Sequence, residues 1–170
     1  SELTGILWHQ GESDSTHGNY KVYYQKLHFI VEGLRKELNA PDLPFIIGGL
    51  GDFLGKTGFG KHCTEYNLVN QELQKFAVEQ DHCYFVTASG LTSNPDGIHM
   101  DAISQRKFGL RYYEAFSSKQ HVMKPLNNED ELIHLIHART HTQAEKIYMH
   151  SMDLALGNIS YDEFEAQLRK

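Results

Sequence analysis

The 170-residue sequence is poor in the residues that staple or break a chain: two cysteines, four prolines and one tryptophan. The cysteines, Cys63 and Cys83, lie too far apart for a CxxC motif and are too few for a disulfide framework, which fits a reducing compartment. No apolar run approaches the roughly 18 residues of a membrane-spanning helix. No secretory leader pattern is visible either. The expectation is a cytoplasmic protein with no membrane partner. Basic charge is also short: 16 Lys and Arg against 22 Asp and Glu leave a formal charge of −6. That argues against a nucleic-acid surface, which shows a basic patch or stripe. No like-charge tail, repeat or low-complexity tract is present.

What is present is ordinary globular material, 40% hydrophobic and 22% charged, long enough for one real core. Residues 4–10 (TGILWHQ), 45–50 (FIIGGL) and 83–89 (CYFVTAS) are short apolar runs bounded by turn residues and read as buried strands. Between them the period changes. Tyr20, Tyr23, Leu27, Ile30, Leu34 and Leu38 recur at steps of three and four, with Lys21, Gln25, Glu32, Arg35 and Lys36 on the other faces. Val69, Leu73 and Phe76 repeat the spacing within 64–80. Asp101 is placed to cap a third helix that runs to about Phe116, with Phe108, Tyr112, Ala115 and Phe116 on one side. Strands alternating with amphipathic helices predict an α/β domain over residues 1–120, built on a parallel sheet flanked by helices. Residues 121–170 read as a helical extension, with helices near 129–156, open to a break, and near 160–169. Ser160 and Glu163 form a capping box.

In open α/β sheets ligands sit at the carboxyl ends of the strands. Three loops leave those ends, 9–19, 51–62 and 90–99, and they hold most of the polar chemistry of the first 116 residues. In NPDGIH (94–99) a Pro–Asp–Gly turn lets the Asp96 carboxylate reach Nδ1 of His99. The Asp would fix the tautomer and leave Nε2 as a general base; the alternative is an Asx turn beside an exposed histidine. In WHQGESD (8–14), Gln10 can donate to a developing oxyanion. Ser13 raises a rival, half of a nucleophile elbow, but Ser15 stands where the closing glycine belongs. GDFLGKT (51–57) narrowly misses a phosphate-binding loop, because Leu50 replaces its first glycine and Gly58 and Gly60 break the helix that should follow. His134, His137 and His141 fall at one helical spacing, yet no carboxylate or thiolate completes a zinc pattern, so no metal is assigned.

Together, GILWHQGESD (5–14) and NPDGIHMDAISQRKFG (94–109) resemble the sialate O-acetylesterase-type domain of carbohydrate esterase family six, within the SGNH hydrolase superfamily. The resemblance covers residues 1–116, and the tail is similar to that of bacterial acetylxylan-esterase-related members. It implies a flavodoxin-like sheet and a carboxylic ester hydrolase acting on acetylated carbohydrate without a cofactor. It makes His99 the base and Asp96 its orienter. It places Gln10 near the oxyanion, with Gly11 and Glu12 in the same substrate-side stretch and Glu12 bracing the loop. The family's Gly-Gln-Ser-Asn nucleophile block and a second glycine block have no counterpart here. The expectation is therefore an esterase chain without the first two strands. Its serine would come from a missing N-terminal segment or a second chain. The alternatives are a non-catalytic carbohydrate-binding or assembly module and, less favoured, a hydrolase that uses Ser13.

Overall fold

A computed structural model describes residues 3–138 and 141–168, without the side chain of His137. The chain divides into two compact units between Asp130 and Glu131. The first holds strands β1 (Ile6–Trp8), β2 (Phe45–Gly48) and β3 (Cys83–Val86) in the order β1-β2-β3, both pairings parallel. Helices α1 (Tyr23–Glu37) and α2 (Tyr66–Glu79) follow β1 and β2, and α3 (Ala102–Ser118) follows β3. This is the expected α/β arrangement.

Each face of the sheet has its own core. Tyr23, Leu27 and Val31 of α1 and Val69, Leu73 and Phe76 of α2 close over Phe45, Ile47 and Phe85. Phe108, Tyr112 and Ala115 of α3 close over Ile46 and Val86. Alternate strand residues thus serve opposite faces, the period-two consequence of the pleat. Asp101 caps α3, its carboxylate accepting the Ser104 amide at 2.8 Å.

Three expectations are corrected. Arg35 lies inside α1's contact face, 8% exposed, because its guanidinium donates to the carbonyls of Leu43 (3.2 Å) and Asp81 (2.8 Å). A buried charge is tolerated when it is hydrogen-bonded in this way. The first strand is not fully buried: Leu7, paired with Ile46 on the α3 side, is 63% exposed. Among the described residues β1 pairs only with β2, so its outer edge is free. The opposite edge is closed. Val122 exchanges 2.8 Å bonds with Thr87 and Phe85, and His121 Nδ1 accepts the Phe85 amide.

The third correction concerns the tail. The second unit contains most of α4 (Glu129–Ala138), then α5 (Gln143–Ala155) and α6 (Tyr161–Leu168). Thr142 and Glu145 form a capping box that starts α5, and Ser160 with Glu163 starts α6. Because α4 ends at Ala138, His134 and His141 do not share a helix face. The His137 side chain lies outside the described structure. No described helix is long and apolar enough to cross a membrane.

Candidate active site

The turn after β3 is built around Asp96. Its Oδ1 accepts the amides of Ile98 and His99, both at 3.0 Å, and its Oδ2 lies 2.7 Å from His99 Nδ1. The Ile98 amide, the His99 ring and the His99 amide together hold the Asp96 carboxyl down to about 2, well below the usual carboxylate range. The carboxylate is therefore ionised at neutral pH. With Nδ1 held by Asp96, the proton on that nitrogen is fixed and Nε2 faces outward. The His99 side chain is 74% exposed, and Nε2 has no hydrogen-bond partner among the described residues.

The glycine-rich loop after β2 positions this turn. The Phe59 amide donates to the Asp96 carbonyl at 2.7 Å. A Cβ on Gly58 would stand 2.0 Å from that same oxygen, and one on Gly60 would stand 1.9 Å from the Gly97 carbonyl oxygen. Gly97 itself has φ 73°, and its Cβ would meet the Thr57 carbonyl at 2.3 Å. Two backbones lie against each other here with no room for side chains. The glycines that break a phosphate-binding pattern thus serve as a brace for the Asp–His turn. Sequence reasoning passed over this role; the available signal was a G-x-G spacing at 58–60 facing a Pro–Asp–Gly turn.

The block after β1 is pinned from both faces of the sheet. Tyr112 of α3 donates to the Trp8 carbonyl at 2.7 Å, and Tyr23 of α1 donates to the Gln10 carbonyl at 2.7 Å. Burial pushes both phenols above their ordinary range. Gln10 Nε2 donates to Asp14 at 2.9 Å, while its Oε1 lies 3.2 Å from the Tyr23 hydroxyl. Among the described residues one amide hydrogen of Gln10 is left over, since a primary amide carries two. Gly11, at φ 148°, passes over the core, where a Cβ would stand 2.9 Å from Val69 and 3.1 Å from Leu50. The Glu12 carbonyl accepts the Cys63 thiol at 3.4 Å, and its carboxylate lies 3.7 Å from His9 Nε2.

The structure thus brings Asp96 and His99 together, and separately Gln10 with Asp14 and Tyr23. Among the described residues no hydrogen bond or ion pair joins these two groups. Ser13 is exposed, and no hydrogen bond links it to His99 among the described residues. Cys63 and Cys83 are free and buried.

The first unit is similar to known proteins in sequence and in fold. Residues 1–118 match the family model of carbohydrate esterases described as sialic acid-specific acetylesterases. A probable carbohydrate esterase of Arabidopsis thaliana is 28% identical over 122 residues, covering 69% of this chain and 41% of that protein. A 1.6 Å crystal structure of an Arabidopsis thaliana protein superposes with a TM-score of 0.59 at 25% identity, over 69% of this chain and 45% of that one. The chain thus spans less than half the length of the relative it matches. With the family model covering more than half of its residues, the chain belongs to the carbohydrate esterase family of sialic acid-specific acetylesterases.

Proposed function

We propose that this chain carries the general-base half of a serine-type O-acetylesterase that removes acetyl groups from sugars, of the acetylxylan or sialate type. His99 Nε2 takes the proton of the attacking hydroxyl, and Asp96 orients the ring and stabilises the imidazolium. The tetrahedral intermediate collapses as the imidazolium protonates the departing sugar oxygen. Water then repeats the sequence and releases acetate. Gln10, beside Gly11 and Glu12, takes the oxyanion side through its remaining amide hydrogen. The observation that carries this reading is the 2.7 Å Asp96–His99 contact, with the outer nitrogen unbonded among the described residues and the ring exposed at the carboxyl end of the sheet.

The nucleophile, in this reading, arrives on polypeptide outside residues 1–170. A flavodoxin-like sheet has strand order 2-1-3-4-5, so β1-β2-β3 corresponds to its last three strands and the next strand would add to the free edge of β1. The loop after such a strand would reach the same rim as His99. The free edge also favours a second reading, an assembly module that pairs without catalysing.

Acetate release separates these readings. The substrates are 4-nitrophenyl acetate, acetylated xylan and O-acetylated sialic acid, tested with the 170 residues alone and with a complementing nucleophile segment. Turnover is expected only in the complemented form, and His99→Ala should remove it. Activity that survives His99→Ala would end the general-base assignment. Full activity of the 170 residues, abolished by Ser13→Ala, would install Ser13 as the nucleophile.

A further inference from the structure

A second polar feature lies on the same rim, outside the Asp–His turn. A cleft of about 420 Å³ opens between α2 and the carboxyl ends of β2 and β3, within the roughly 300–1,000 Å³ of small-molecule sites. Its open wall presents Asn67, Gln71 and Gln74 at helical spacing, and Ser89 and Asp52 stand across from them. Among the described residues, the amides of Asn67, Gln71 and Gln74 make no hydrogen bond.

The backbone beneath them is held in place. Asn70 uses both ends of its amide on Leu50, accepting from the nitrogen at 2.7 Å and donating to the carbonyl at 2.9 Å. Arg111, 1% exposed and paired with buried Glu129, donates to the carbonyls of Thr87 (2.8 Å) and Ser89 (2.9 Å). Asp52 accepts the Gly90 amide at 3.4 Å and so ties the two loops together. A solvated helix face needs none of this. Free hydrogen-bonding groups on fixed walls are what a preorganised binding site requires.

We propose that this cleft is a subsite for neutral sugar units flanking the acetylated one. Amides and hydroxyls supply both donors and acceptors, which matches vicinal hydroxyls on a sugar ring. The one carboxylate can accept two such hydroxyls. Among the described residues no basic side chain lines the cleft, so phosphates and acidic sugars meet Asp52 with nothing there to offset it. The position fits a substrate longer than one residue. Asp52 begins the loop whose Phe59 amide holds Asp96, and Ser89 precedes the loop that carries His99. The subsite's place in the reaction rests on the esterase reading, but its binding does not.

The test is titration of the 170-residue chain with xylotetraose, a neutral oligosaccharide, and in parallel with sialyllactose, an acidic one, followed by NMR. Saturable shifts of the Asn67, Gln71 and Gln74 side-chain amides are expected with xylotetraose alone. The double variant Gln71→Ala/Gln74→Ala should weaken binding about tenfold, as two lost neutral hydrogen bonds imply. Its melting temperature should not change, because these amides hold nothing in the fold. The proposal is overturned by an absence of saturation up to about 10 mM. It also fails if the double variant binds normally, or if sialyllactose binds as well as xylotetraose. Xylotetraose binding without turnover in the complemented esterase would refute only the catalytic reading. Turnover without binding in the cleft would refute only the subsite.

Discussion

Asp96 uses its two oxygens differently: one closes the turn through the Ile98 and His99 amides, the other fixes the His99 ring. Both roles need the ionised carboxylate. Its pKa is depressed in the fold to about 2, so its stabilisation is fully present above the ordinary value near 3.9 and is lost as pH falls through about 2. The Ile98 and His99 amide resonances should therefore titrate together near pH 2; a midpoint near 4 would show that the turn does not hold the carboxylate as described. Glycines give a matched comparison at the same scale. Gly58→Ala drives a Cβ into the Asp96 carbonyl and, at φ 57°, also strains the backbone, so it should cost about 1–3 kcal/mol. Gly33→Ala, in α1 with nothing within 4 Å of the new Cβ, should stabilise by up to about 1 kcal/mol. Urea unfolding of the two variants checks both the signs and the contrast.

At the scale of elements, buried Arg111 ties α3 to Glu129, the first residue of α4, meeting both of its carboxylate oxygens. Burial alone would raise the Glu129 carboxyl, but its hydrogen bonds to Arg111 hold it below its ordinary value. Arg111→Ala leaves that carboxylate buried and unpaired, and should cost about 3–5 kcal/mol in chemical unfolding. Replacing both partners, as Arg111→Met/Glu129→Leu, should cost markedly less. The α1, α2 and α3 helices were legible from their period, and the Asp–His turn from its Pro–Asp–Gly signature. Arg35 and Arg111 were not legible as interior residues, because the carbonyls that satisfy them belong to distant loops. The brace by Gly58 and Gly60 was hidden for the same reason: a glycine's lack of a Cβ matters only against a backbone brought in by the fold. Leu7 read as buried because an apolar strand in a parallel sheet ordinarily is.

At the scale of the molecule, the two edges of the sheet are treated differently. Beyond β3, His121 and Val122 pair with the outward amide and carbonyl of Phe85 and with the Thr87 amide. Beyond β1 there is exposed Leu7 and, beside it, a groove of about 330 Å³ lined by Gly5, Tyr112, Tyr113 and Phe116. A free strand edge next to apolar surface invites another strand, and proteins that leave such an edge open usually blunt it with charge. None of Ile6, Leu7 and Trp8 is charged. Without a complementing strand, the 170-residue chain should therefore self-associate as its concentration rises. Leu7→Lys places a charge on the uncovered face of β1 and should keep the chain monomeric in sedimentation equilibrium. Because Leu7 is largely exposed, its loss should change stability by no more than about 0.5 kcal/mol. If the unsubstituted chain stays monomeric at every concentration, the three residues of β1 are too short an edge to recruit a partner on their own. If Leu7→Lys associates as readily as the parent, the contact lies elsewhere.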